Sequence, residues 1–189
     1  METTDAVHVS LVHARFAADL LVGVREELLR LTTDLDVYMD WARRAGVGTK
    51  LDEAWMAIAA SAPGNRRELI AAAAYAQWLS DHIRLQSARW KRADEASATG
   101  YMKHFDESAL LERQLVPFEI VEPPKDPPPH PGALDSTIAM LPAPYIARVD
   151  RAREWCGQAL WAARMSNTQG MAVVCGYMER LLGWMEENP

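Results

Sequence analysis

From the ninth residue onward, apolar positions recur at steps of three and four: Val9, Val12, Phe16, Leu20, Val24, Leu28, Leu31, Leu35, Tyr38 and Ala42. Side chains so spaced share one helical face. The pattern predicts one amphipathic helix over residues 6 to about 45, with Asp5 as its N-cap and the two glycines of AGVGTK at its end. Such a helix is several times the usual length of about 11 to 12 residues. It needs an equally long partner, or a break near Thr32 and Thr33.

A second helix is predicted from Leu51 to Ala62, opened by Thr49 and Asp52 in a capping-box-like arrangement and closed by Pro63–Gly64. Asn65 then caps a third, with Glu68 placed to reach back to the cap amide. Its stripe is Leu69, Ala72, Ala76, Leu79, Ile83 and Trp90, and it runs to about Ala96. A shorter helix over 106–115 supplies Leu110, Leu111 and Leu115.

The pattern then breaks. Residues 117–131 hold seven of the eleven prolines, most densely in VEPPKDPPPHPG, residues 121–132. Proline has no amide proton and restricts its predecessor, so neither a helix nor a central strand forms there. An extended, largely polyproline II linker is predicted. FEIVE, residues 118–122, has the composition of a short strand without an evident partner.

Periodicity resumes in LDSTIAML with one or two helical turns, and Pro144 opens a helix to about Arg164. MSNTQG makes a turn, with Ser166 and Gln169 as a second capping box, and a last helix ends near Glu187. These two helices form an αα-hairpin. Cys156–Gly157 and Cys175–Gly176 lie almost equidistant from its turn, so the glycines are expected to let the two backbones approach beside two buried thiols. The fold class expected is all-α: a bundle of long antiparallel helices with a proline-rich linker and a C-terminal hairpin. Its expected division is a helical body over 1–116, a linker over 117–132, and a hairpin over 133–189 that packs on the body or on a second copy.

Composition narrows the function classes. Hydrophobic residues make up 49% of the 189, with seven tryptophans, enough to build a core. The net charge of −6 disfavours wholesale binding of phosphate backbones. Two cysteines make no disulfide framework, METTDAVHVS has no leader-like apolar stretch, and no apolar run approaches the roughly 20 residues of a membrane span. A reduced, cytoplasmic protein without a membrane partner is expected, of the small acidic helical kind that phages and mobile elements carry.

Candidate chemistry is sparse. His8, His13, His82, His104 and His130 are scattered, and HExxH, CxxC and Glu-x-x-His are all absent. His104, Asp106 and Glu107 read as a cap with solvated neighbours, and Asp34, Asp36 and Asp40 as a solvated helix face without the second acidic cluster that magnesium chemistry needs. AGVGTK is too short for a phosphate loop and has no strand before it. No catalytic residue, metal site or cofactor is assigned.

The first function expected is a non-catalytic protein–protein interaction or assembly protein that associates with itself. Trp41, Trp161 and Trp184 fall off the best apolar stripes and are the candidate partner-binding residues, since exposed aromatics often anchor interfaces. Arg84, Arg89, Trp90, Lys91 and Arg92 form the one basic stretch with an aromatic, a candidate contact for an acidic protein. The alternative is a small-molecule or metal-binding bundle with enzymatic activity, with Tyr75, His82 and Gln86 facing a pocket. Nucleic-acid binding through residues 84–92 ranks third. PKDP and PHP offer a partial PxxP for a polyproline-binding partner, but the flanks lack the usual basic residue.

Overall fold

The computed structural model describes residues 2–44, 52–98, 122–166 and 170–188. Among these are four α-helices and no strand: α1 Glu2–Arg44, α2 Asp52–Ala98, α3 Ala143–Ser166 and α4 Met171–Glu187, with a 3-10 turn at Ser136–Met140 before α3. The chain is all-α, and no described helix is long and apolar enough to cross a membrane. The turn expected at 45–50, the helix expected over 106–115, the His104 cluster, most of FEIVE and Gln169 lie outside the described residues.

The long first helix forms without a break, starting at Glu2, so Asp5 lies inside it rather than capping it. α2 packs along one side of α1 and α3 along another, while α4 contacts α3 and α2. Partners run in opposite directions. Asp36 meets Arg66 and Asp19 meets Arg84 between α1 and α2, and His13 meets Trp161 while Asp34 meets Arg148 between α1 and α3.

The buried face of α1 is Ala14, Ala17, Leu21, Val24, Leu28, Leu31 and Leu35, whereas Val12 and Phe16 are exposed. This corrects the stripe expected at the helix start. Each step of four overshoots a full turn by about 40°, so four such steps from Val12 to Leu28 rotate the row by about 160°. The true contact line there runs through alanines. Ala72, Ala73 and Ala76 on α2 and Ala159, Ala162 and Ala163 on α3 are buried as well. Such small side chains let helix axes come close.

α2 runs straight through Pro63, where the sequence predicts a stop. An interior proline costs about 3 kcal/mol, so packing must outweigh it. Ile58 and Leu69, both buried, are eleven residues apart, about three turns. The apolar face is therefore in phase on both sides of the proline, and one continuous helix buries both halves. With no helix start at 65, the supposed cap and box residues face other donors. Asn65 Oδ1 accepts the amide of Asp135 at 2.7 Å, and Glu68 Oε2 accepts that of Gly132 at 2.6 Å. Ser61 and Thr137 also share a hydroxyl–hydroxyl hydrogen bond, fastening the 3-10 turn to α2.

Both cysteines are buried and unpaired. The glycines beside them do not make a close crossing: a Cβ built on Gly157 or Gly176 meets nothing within 4 Å. The closest glycine contact is instead at Gly23 of α1, where the Trp155 side chain lies over the backbone and a Cβ would fall 2.7 Å from its ring.

Candidate functional site

Tyr75 and Trp78 stand on neighbouring turns of α2, and Tyr177 and Trp184 two turns apart on α4. These side chains turn toward the seam between the two helices. Trp78 and Tyr177 meet edge to face with centroids 5.2 Å apart, and Tyr75 lies 6.1 Å from Trp78 and 6.3 Å from Tyr177. His82 covers the other side of Trp78 at 4.0 Å, and its Nδ1 lies 3.2 Å from the Trp78 carbonyl. Arg180 sits over the Tyr177 ring at 5.3 Å. Burial pushes the Tyr75 phenol up and holds the His82 imidazolium below its ordinary value.

Residues 122–134 lie along this seam without helix or strand, bending at Lys125 and Asp126. Trp78 Nε1 donates to the Pro124 carbonyl at 2.8 Å, and Trp184 Nε1 to that of Gly132 at 2.7 Å. The His130 ring meets Tyr75 edge to face at 5.6 Å, and Pro131 is buried. The Gly132 amide, donating to Glu68, holds that carboxyl below its ordinary value, with Arg67 adding to the effect. The Leu134 amide donates to Asn188 Oδ1 at 2.7 Å. The proline-rich run is thus a strap fastened to α2 on one side and α4 on the other.

A second polar feature ties α1 to α3. Glu27 is 1% exposed, and its carboxylate faces Arg30 at 3.2 Å, Arg148 at 3.2 Å and Arg151 at 3.4 Å. Arg148 also reaches Asp34 at 2.5 Å, and that hydrogen bond, the larger cause, raises its pKa together with the pairing to Glu27. Buried carboxylates are tolerated when paired and hydrogen-bonded. Glu27 was visible as an acid within the apolar row, three after Val24 and four before Leu31. Arg30, three residues on, was within reach along the same helix, but Arg148 and Arg151 were not visible, since they lie over a hundred residues away.

The expected partner-binding residues separate. Trp161 is 56% and Trp41 60% exposed; Trp161 meets His13 edge to face at 5.8 Å, and Trp41 stacks near Tyr38 at 6.0 Å. Trp184 is 5% exposed and belongs to the strap contact, so it is not a surface anchor. Its indole N–H finds a carbonyl that the helical stripe alone could not reveal. In the basic stretch, Arg84 bonds Asp19 at 3.3 Å, Arg89 is exposed, Trp90 and Lys91 are half-buried, and Arg92 lies in the last turns of α2.

Tyr75 and His82 belong to the aromatic cluster, and Gln86 lies against Gly170. The acidic residues of late α1 each have a basic partner: Asp34 with Arg148, Asp36 with Arg66 at 3.2 Å and Asp40 with Arg44 at 2.5 Å. An open groove of about 590 Å³ lies between α1 and α2, lined by Met39, Pro63 and Ile70 together with Arg43, Arg66 and Arg67. Among the described residues, no three His, Cys, Asp or Glu side chains gather as a metal site. No family model, curated protein or solved structure matches the chain.

Proposed function

We propose that this chain is a non-catalytic interaction and assembly protein that associates with further copies of itself. The observation that carries the reading is the exposure of large apolar side chains around the His13–Trp161 contact. Val12 is 46% exposed, Phe16 48%, Trp161 56% and Met165 51%. Val12 and Phe16 lie within a turn of His13 on α1, and Met165 is one turn beyond Trp161. Trp161 has its ring oriented by His13 before any partner arrives, which lowers the ordering cost of binding. Half-exposed aromatics of this kind dominate interface energetics when a partner buries them.

Light scattering on size-exclusion fractions over a range of concentrations tests the reading. The wild type is expected to elute as a dimer or larger, and a Phe16→Ala, Trp161→Ala variant as a monomer with unchanged helical circular dichroism. A wild type that stays monomeric throughout removes self-association. A monomer that co-purifies with a stoichiometric metal or small molecule moves the protein to the ligand-binding class.

A further inference from the structure

We propose that the cleft between α2 and α4 is a receptor for extended proline-rich segments, and that residues 122–132 are the ligand it holds here. The inference concerns a different surface from the Trp161 patch and stands whether or not the chain self-associates.

The chemistry of the cleft matches that of its occupant. A proline-rich run cannot satisfy its carbonyls through its own secondary structure, because its prolines supply no amide protons. Its recognisable features are outward carbonyls, compact pyrrolidine rings and a backbone already extended, so little entropy is lost on capture. The cleft offers the complement to each. Two indole N–H groups, from Trp78 and Trp184, point at carbonyls of Pro124 and Gly132. Tyr75 and Tyr177 complete an aromatic wall beside them. Glu68 takes the amide of Gly132, a residue that is not proline and so has one to give. Two indole contacts on carbonyls eight residues apart set register and direction, which a merely greasy cover over the core would not require.

Attachment in cis gives the strap an effective concentration that a free peptide does not match. The intact chain therefore keeps its own receptor filled, and displacing the strap opens it to a proline-rich segment of another molecule.

The test uses the full chain with Pro123, Pro124, Pro127, Pro128 and Pro129 all changed to Ser, and a fluorescent synthetic peptide of residues 121–132 read by anisotropy. The wild type is expected to ignore the peptide and the strap variant to bind it. Adding Trp78→Phe to the strap variant removes one indole donor and is expected to weaken binding about ten-fold. A strap variant that keeps its helical circular dichroism yet does not bind overturns the proposal. So does one that binds equally well with Trp78→Phe, or that takes a peptide whose prolines are replaced by alanine.

Should the strap variant fail to fold, limited trypsin digestion of otherwise wild-type chains decides instead, because Lys125 is the only basic cleavage site in the strap. Trp78→Phe is expected to speed cutting after Lys125 several-fold relative to cuts elsewhere, and Trp161→Phe to leave it unchanged. Equal rates at Lys125 in the wild type and Trp78→Phe overturn the proposal.

Discussion

Trp155 of α3 lies so close over Gly23 of α1 that a Cβ there would stand 2.7 Å from two of its ring carbons. An aromatic ring is rigid, so the contact can be relieved only by moving the whole indole or the helix axis. Gly23→Ala brings two opposing effects. Alanine favours a helix interior by about 1 kcal/mol, whereas overpacking costs about 1 to 3 kcal/mol. Net destabilisation is expected, measured as a lower urea midpoint, with recovery when Trp155→Leu is added. A stabilised Gly23→Ala would show that α1 and α3 do not approach as described.

The opposite sign is expected at Gly64, Gly157, Gly176 and Gly183. All four are within helices, and a Cβ on each meets nothing within 4 Å. Alanine there is expected to stabilise by about 0.5 to 1 kcal/mol per site. Gly157→Ala and Gly176→Ala bear directly on the hairpin, because a tight crossing at the Cys-Gly pairs would make both destabilising. Thermal melts of the single variants beside Gly23→Ala separate the two kinds of glycine.

These glycines also mark where sequence reading stops. Helical periodicity exposed α1, the stripe Leu69, Ala72, Ala76, Leu79 and Ile83 of α2, though Trp90 at its expected end is only half-buried, and the helices after Pro144, because each depends only on neighbours within a turn or two. It did not disclose which glycine faces a tryptophan, since Gly23 and Trp155 are far apart along the chain. Pro63 misled for a related reason: its local cost is fixed, while the packing that outweighs it is supplied by other helices. The strap shows the same limit. Its lack of helix and strand followed from proline chemistry alone, whereas Trp78, Tyr177, Glu68 and Trp184 gained their roles only when α2 and α4 came together.

The Glu27 node separates packing from charge. Glu27→Ala removes the buried carboxylate and leaves space beside Arg148 and Arg151, so a loss of about 2 to 4 kcal/mol is expected. Glu27→Leu fills the space, and because Arg151 and Arg30 are about half exposed they can turn to water. The leucine variant is expected to lose clearly less. Equal losses from the two, compared by urea denaturation, would mean that the ion pairs rather than the packing hold α1 to α3.

The thiols are expected to be unreactive in the folded chain. Burial pushes Cys156 up to about 12 and raises Cys175 as well. Only the thiolate is nucleophilic, and near pH 8 about one Cys156 in ten thousand would be ionised. At reagent concentrations high enough for modification to outpace reclosing, a disulfide reagent should therefore label Cys156 at the rate of unfolding. Rapid labelling that scales with reagent would place Cys156 nearer the surface.

Acid should loosen the strap in two stages. His82, packed at a tilt on Trp78, is held below its ordinary value of 6.5, chiefly by burial, and the Trp78 carbonyl opposes this only in part. As pH falls, the unfolded chain takes up this proton before the folded chain does. The His82 contribution is thus whole above about 6.5 and is lost as pH drops through the lower folded value. Glu68, depressed from its ordinary 4.5 by the Gly132 amide and Arg67, behaves likewise at lower pH: its share is present above 4.5 and lost as pH falls through the folded value. Melting temperatures taken from about pH 7 to 3 should fall in both ranges. His82→Gln should flatten the upper one, and Glu68→Gln the lower. A wild-type profile flat between about pH 7 and 5 would mean that His82 is as solvated folded as unfolded, and that Trp78 does not carry it.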